Sequence, residues 1–119
     1  MSVADRLTLF PLTTEVNNRG HLAVGGCDTV ELAAEFGTPL YVFDDSTLRH
    51  KCREFSTEFG QRYADTRVIY AGKAFFNRAL AAIVAEEGLG LDAVSGTPVV
   101  DIKPYVPKHD CPTDSEVSD

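Results

Sequence analysis

Short apolar runs alternate with helical patterns through the middle of this chain, and this alternation constrains the fold most strongly. Residues 67–71 form a run typical of a β-strand, and residues 77–87 repeat apolar side chains at helical spacing. A second apolar run follows and ends at Asp92. A strand, a helix and a further strand in this order predict a βαβ unit with parallel strands. The sequence therefore indicates an α/β fold.

Two further segments extend this alternation toward the N-terminus. A helix is predicted over residues 29–36, with Asp28 as its cap, and a strand over residues 40–43. Asp45 or Ser46 is placed to cap a second helix, whose apolar residues recur at helical spacing. Together with the central unit, these segments predict about three parallel strands and three helices.

The first 27 residues predict a β-hairpin in front of these elements. Residues 7–13 and 21–24 are predicted to form two short strands, and the polar residues 17–20 the turn between them. We expect the chain to divide into three segments, namely residues 1–27, 28–96 and 97–119.

A single lysine, Lys73, stands just past the end of the strand pattern at residues 67–71. The carboxyl ends of parallel strands are where α/β barrels keep their reactive groups. A primary amine that is held there and partly desolvated can form an imine with an aldehyde cofactor. An ordinary surface lysine at a strand end is the alternative that the residues alone leave open.

Asp92 follows Lys73 by nineteen residues, at the end of the next strand pattern. Adjacent strand ends would place its carboxylate near the lysine, where its charge would tune the protonation of the amine. A carboxylate that merely ends a strand is the alternative. Ala71 and Tyr70 are candidates for a pocket wall, and Tyr70 is equally compatible with a core position.

Four segments of this sequence, in order, resemble one enzyme family. They are residues 20–22 (Gly-His-Leu), residues 25–28 (Gly-Gly-Cys-Asp), residues 37–44 (Gly-Thr-Pro-Leu-Tyr-Val-Phe-Asp) and residues 70–74 (Tyr-Ala-Gly-Lys-Ala). Residues 10–96 are similar to the diaminopimelate decarboxylase family of pyridoxal-phosphate-dependent barrel enzymes. Gly72 and Phe75-Phe76 depart from the commoner pattern of that family, Tyr-Ala-Val-Lys-Ala-Asn.

The resemblance implies a fold, a cofactor and a reaction. The fold is an incomplete (β/α) barrel of the alanine-racemase-like type, with residues 28–96 as the part that binds pyridoxal 5'-phosphate. Lys73 is implied as the catalytic residue and, with Ala71 and Asp92, as a cofactor-binding residue. The reaction is decarboxylation of the amino acid meso-diaminopimelate to L-lysine and carbon dioxide, in lysine biosynthesis.

The same resemblance carries expectations about assembly and activity. It implies a homodimer and a small-molecule amino-acid substrate. The N-terminus lacks the basic region and apolar core of a signal peptide, so we expect a cytoplasmic location. In this family a glycine-rich loop further along the chain holds the cofactor phosphate, in keeping with anion binding at helix N-termini. No such loop can be placed in the 119 residues, so we expect the isolated chain to be inactive.

Residues 96–110 carry a second resemblance. Their sequence begins Gly-Thr-Pro-Val-Val-Asp-Ile-Lys-Pro-Tyr-Val-Pro and is similar to a segment of the tRNA threonylcarbamoyladenosine methyltransferase family. Three prolines within ten residues prevent a helix or a central strand. The chain therefore looks like a truncated fusion. The alternatives are a fragment related to that methyltransferase, or a truncated product without function.

Composition limits the remaining classes of function. A complete eight-stranded barrel takes about 250 residues, and the 119 residues here are fewer than half of that. A net charge of -7 disfavours nucleic-acid binding, since phosphate contacts need a basic surface. No apolar stretch approaches the length of a membrane span. The three cysteines stand far apart without a metal-binding spacing, so we expect no metal site and reduced thiols.

Overall fold

The computed structural model describes residues 6–92 of the chain. Contacts group these residues into two units, residues 6–47 and residues 48–92. Three helices and two β-sheets lie within them, which confirms the predicted mixture of helix and strand. No helix in this part of the chain combines the length and the apolar character needed to cross a membrane. The division expected at residues 27 and 96 stays a prediction.

The first unit is built on a three-stranded antiparallel sheet. Its strands, in order across the sheet, are β1 (Glu15–Val16), β2 (Leu22–Val24) and β3 (Cys27–Asp28). Helix α1 (Thr29–Phe36) follows β3 directly and confirms the helix predicted there. The core of this unit is small, and its buried apolar side chains are Ala23, Val24, Cys27 and Leu32.

The first strand of the hairpin lies closer to the turn than the sequence predicts. Residues 17–20 form the expected turn, closed by a hydrogen bond of 3.0 Å between the backbones of its first and last residues. The Asn17 amide donates to the His21 carbonyl at 2.9 Å, and the next facing pair along the hairpin is therefore Val16 with Leu22. The strand predicted over residues 7–13 is therefore wrong, because those residues stand too far from the turn to face β2.

A buried carboxylate ties the hairpin to α1. Asp28 is 8% exposed, and its Oδ1 accepts the Val30 amide at 2.8 Å, as expected of the cap of α1. Its Oδ2 accepts Nδ2 of Asn17 at 2.8 Å and lies 2.8 Å from Nδ1 of His21. Burial by itself raises the pKa of Asp28, but the hydrogen bonds from His21, Asn17 and the α1 backbone outweigh it and lower the pKa to about 2.

Helix α2 (Asp45–Arg62) is capped by Asp44, and not by Asp45 or Ser46 as the sequence predicts. Asp44 is buried, and its Oδ2 accepts the Thr47 amide at 3.0 Å and also the Thr47 hydroxyl. A carboxylate at the cap position reaches the amide three residues further along. Asp44 holds that position because the first helical turn begins one residue earlier than the periodicity of the apolar side chains suggests.

The strand predicted over residues 40–43 is wrong within the described part of the chain. These residues form no strand, and Tyr41 among them is 88% exposed. An apolar, β-prone segment becomes a strand only where a neighbouring strand satisfies its backbone groups. No described strand pairs with this segment.

The second unit contains the predicted βαβ arrangement. Strands β4 (Ile69–Ala71) and β5 (Gly90–Asp92) pair in parallel, and helix α3 (Arg78–Glu86) connects them. The pairing register sets Ala71 opposite Asp92. Leu80 and Val84 of α3 are buried and form the apolar core of this unit. The parallel pair that the sequence predicts is thereby confirmed.

Two arginines of α2 neutralise the acidic C-terminal end of α3. Arg53 donates to both carboxylate oxygens of Glu87, at 2.6 and 2.8 Å, while Arg49 donates to Glu87 at 3.1 Å and to Glu86 at 2.7 Å. Carboxylates at this end of a helix are unfavourable, since the helix dipole is negative there. The hydrogen bond from Arg53 lowers the pKa of Glu87, with a smaller contribution from Arg49 and against the opposing effect of burial.

Asp28→Asn is expected to remove part of the pH dependence of stability. The pKa of Asp28 is about 2 in the folded chain, below its ordinary value of 3.8. Its charge therefore stabilises the fold above about pH 4, and this contribution is lost as the pH falls from about 4 to 2. Over that range the midpoint of thermal unfolding should fall by about 5 °C more in the unmodified chain than in Asp28→Asn. Asp65→Asn, at an exposed position, is the control. An equal fall in Asp28→Asn would contradict the role of Asp28.

Glu87→Gln is expected to destabilise the second unit more than Glu86→Gln does. The Glu87 side chain is 8% exposed and accepts from both arginines, whereas that of Glu86 is 61% exposed and accepts from Arg49. The unfolding midpoint of Glu87→Gln should be about 4 °C lower than that of Glu86→Gln. Thermal unfolding followed by circular dichroism measures this difference, and molar salt should shrink it by screening. Equal midpoints for the two variants would argue against the arginine pair as a stabilising contact.

Candidate functional site

Lys73 lies on a tight turn at the carboxyl end of β4. The Ala74 amide donates to the Ala71 carbonyl at 3.2 Å, which places Gly72 and Lys73 at the two central positions of the turn. We call residues 71–74 the lysine turn. The Lys73 side chain is exposed, and within residues 6–92 its amine has neither a hydrogen-bond partner nor an ion-pair partner. A free amine thus stands where the sequence predicts one.

Gly72 lets the ends of the two strands approach closely. Its amide donates to the Asp92 carbonyl at 2.9 Å, which extends the parallel pairing one step beyond β4. A Cβ at position 72 would lie 2.7 Å from that same carbonyl oxygen, closer than real Cβ atoms approach a backbone oxygen. The departure from the commoner family pattern therefore has a steric reason in this chain.

Tyr70 bridges the loop that carries Lys73. Its hydroxyl donates to the Phe75 carbonyl at 2.7 Å, across the lysine turn. The Tyr70 side chain is half-buried, which suits a ring whose body is apolar and whose tip is polar. The sequence suggested a pocket wall or a core residue and missed this bond. A tyrosine within an otherwise apolar strand is the signal that could have indicated it.

Asn77 anchors the far end of the same loop. It is 8% exposed, and its Oδ1 accepts the Leu80 amide at 2.7 Å, so that it caps α3. Its backbone carbonyl accepts the Ala81 amide at 2.9 Å. The loop between β4 and α3 is consequently fixed at both ends, by the strand pairing and by the helix cap.

Ala71 and Asp92 lie at the same edge of the sheet as Lys73. Ala71 is the last residue of β4 and faces Asp92, the last residue of β5, in the parallel register. The two strand ends are therefore adjacent, as the sequence predicts. The Asp92 carboxylate makes no ion pair with the Lys73 amine in this structure. Its role beside the lysine stays a prediction, as does the role of Ala71 beside a cofactor.

Within residues 6–92, the cysteines and other potential metal ligands do not come together in a metal site. Among residues 6–92, no group of three His, Cys, Asp or Glu side chains could hold a metal ion. Cys52 is free and half-buried, and burial together with the negative charge of Glu87 raises its pKa, which makes it a weaker nucleophile. The expectation of reduced thiols is wrong for Cys27, which is disulfide-bonded, because sequence spacing does not show which sulfur atoms meet.

The exposed amine on a fixed turn fits attachment of an aldehyde cofactor. A primary amine reacts with an aldehyde most readily when it is accessible and not held in an ion pair, and among the described residues Lys73 meets both conditions. The close backbone approach at Gly72 keeps the sheet edge beside the lysine free of a side chain at that position. The chemistry of the site agrees with a pyridoxal-binding role.

Comparison with known proteins points the same way. Residues 45–103 match the family described as the pyridoxal-binding domain of pyridoxal-dependent decarboxylases. This range includes β4, the lysine turn, α3 and β5. The sequence suggested that the family resemblance ends at residue 96, and the match extends seven residues beyond it. The resemblance of residues 96–110 to a methyltransferase lies outside the described residues and stays a prediction.

Several curated relatives are named diaminopimelate decarboxylase. The chain is 49% identical to that of Bacillus methanolicus over 87 residues, which are 73% of this chain and 20% of the relative. It is 45% identical to that of Synechocystis sp. over 89 residues, 74% of this chain and 19% of the relative. It is also 49% identical to that of Methanothermobacter thermautotrophicus over 87 residues, with 73% and 20% covered. The chain thus spans about a fifth of the length of these relatives.

Gly72→Ala is expected to destabilise the chain by about 1–3 kcal/mol, the usual effect of adding a methyl group where there is no room. The obstacle is the backbone oxygen of Asp92, so β5 itself must shift and the hydrogen bond from residue 72 must lengthen. Gly60→Ala is the matched control, because Gly60 lies within α2 and a Cβ there meets nothing within 4 Å. That change should stabilise α2 by about 1 kcal/mol. Urea unfolding measures both, and effects of the same sign would contradict the close contact.

Proposed function

We propose that this chain, whose residues 45–103 match the pyridoxal-binding domain of pyridoxal-dependent decarboxylases, is part of an enzyme of that family that acts on meso-diaminopimelate. The reaction releases carbon dioxide and yields L-lysine, which makes the enzyme a step in lysine biosynthesis. The names of the relatives support this choice of substrate over other basic amino acids. Lys73 is the catalytic residue in this proposal.

The single observation that carries the proposal is the placement of Lys73. Its exposed amine stands on a turn fixed by two backbone hydrogen bonds, from Ala74 to Ala71 and from Gly72 to Asp92. That turn lies at the carboxyl edge of a parallel βαβ unit, where barrel enzymes keep their chemistry. A surface lysine without a role would need none of these constraints.

Pyridoxal 5'-phosphate, when bound, serves as the electron sink that stabilises the carbanion left by departing carbon dioxide. The chain's own part is to hold the cofactor through the Lys73 amine and to shape the sheet edge with Ala71. Asp92, at the neighbouring strand end, is a further cofactor-binding residue in this proposal. These roles support one another because the parallel register brings all three residues to one edge.

The finer assignments follow from the same proposal. The βαβ unit is one repeat of an incomplete alanine-racemase-like (β/α) barrel, and the complete enzyme is a cytoplasmic homodimer. We propose that the 119-residue chain by itself attaches the cofactor weakly and does not decarboxylate, since orientation and electrostatic preorganisation supply most of an enzyme's acceleration. No described residue favours the methyltransferase alternative.

Attachment of pyridoxal phosphate should occur on Lys73 rather than on lysines in general. The full chain is incubated with the cofactor and reduced with borohydride, and peptide mass mapping locates the label. Most of the label should lie on Lys73 and disappear in Lys73→Ala. Lys51→Ala is the control, because Lys51 is a half-exposed lysine held by Glu54 at 2.6 Å and should not affect labelling.

Two results would contradict the proposal. Label spread evenly over several lysines, or unchanged in Lys73→Ala, would remove the site. Carbon dioxide release from meso-diaminopimelate by the 119-residue chain, above that of free cofactor and abolished in Lys73→Ala, would leave the site intact and disprove the expected inactivity.

A further inference from the structure

We infer that the Tyr70 hydroxyl is a positioning group for Lys73: by bonding the Phe75 carbonyl it holds the lysine turn in the shape that presents the amine. The inference rests on the proposed function, because it concerns how Lys73 is offered to an aldehyde cofactor. Tyr70 acts through the backbone and is not itself proposed to touch the reacting atoms.

The hydrogen bond joins residues on either side of the lysine. Tyr70 precedes Lys73 by three residues and Phe75 follows it by two, so the hydroxyl-to-carbonyl contact of 2.7 Å closes a ring around the turn. The base of the tyrosine is rigid, because Tyr70 lies in β4 and pairs with Leu91 of β5. The Tyr70 side chain therefore links the middle of the loop to the sheet and restricts its movement.

Three further hydrogen bonds fix other parts of the loop. The Gly72 amide fixes the start of the loop, and the side chain of Asn77 fixes its end. Between them, the Ala74 amide bonds the Ala71 carbonyl at 3.2 Å, near the long end of the range for such bonds. The Tyr70 contact is the shorter link, and it comes from a side chain anchored in the sheet.

Loss of the hydroxyl should loosen the loop without removing the ring. Tyr70→Phe keeps the half-buried aromatic body and deletes only the donor. An intramolecular hydrogen bond of ordinary strength corresponds to a factor of about five to ten in an equilibrium. A lysine held less of the time in the reactive arrangement attaches an aldehyde more slowly in proportion.

The test compares Tyr70→Phe with Tyr63→Phe in the full chain. Tyr63 is 68% exposed, and its hydroxyl makes no described hydrogen bond, so the same chemical change there should have no effect. In Tyr70→Phe, hydrogen exchange of the Ala74 amide should accelerate about five- to tenfold, and trypsin should cleave faster after Lys73. Amides in the centre of α3 should keep their protection, which separates loosening of the loop from unfolding.

The second readout is the rate at which Lys73 acquires borohydride-reducible pyridoxal phosphate, measured against pH. It should fall about five- to tenfold in Tyr70→Phe and stay unchanged in Tyr63→Phe. Unchanged exchange and an unchanged labelling rate in Tyr70→Phe would overturn the inference while leaving Lys73 as the site. Label that persists in Lys73→Ala would instead overturn the proposed function.

A measurement on the unmodified chain covers the case in which Tyr70→Phe fails to fold. The Ala74 amide should exchange more slowly than the amide of the exposed Asp65, which makes no described hydrogen bond. Equal exchange at these two positions would show that the loop is not held, and would overturn the inference without any variant.

Discussion

The parallel pairing of β4 with β5 is the interaction on which the candidate site depends. It sets Ala71 opposite Asp92, and the Gly72 amide adds one more backbone bond before the chain turns away. The lysine turn begins where this ladder ends. The location of the Lys73 amine is thus determined by backbone pairing and not by any contact of its own side chain, which leaves that side chain free for chemistry.

Local signals account for the parts of the fold that the sequence predicts correctly. Helices α1 and α3 have a capping side chain directly in front of them, Asp28 and Asn77, and apolar residues at helical spacing. The β4–β5 pair is joined by a single short helix, so its partners are neighbours in the chain. The apolar content of residues 7–13 and 40–43 also predicts strands, but a strand needs a partner at the right distance, which composition does not reveal.

The candidate site also has features that the sequence predicts and features that it does not. The position of Lys73 past a strand end follows from the order of residues, and its adjacency to the end of β5 follows from the parallel topology. The Tyr70 bond to the Phe75 carbonyl and the close approach at Gly72 depend on the exact separation of two atoms, to within a few tenths of an ångström. No pattern of residue types encodes such distances, since a valine is the commoner residue where this chain has Gly72.

A mutation near the lysine could act in two ways, by reducing the fraction of folded molecules or by changing the amine itself, and Gly72 is a position where the first applies. A side chain at this position acts on the meeting of two strand ends, and so on the fraction of molecules that are folded. Molecules that do fold would retain the Lys73 amine, although the hydrogen bond that precedes it would be longer. Inherited variation at residue 72 would therefore act mainly through the abundance of the protein in the cell. If Lys73 has the proposed role, variation at residue 73 would instead remove the reactive amine from each molecule at constant abundance.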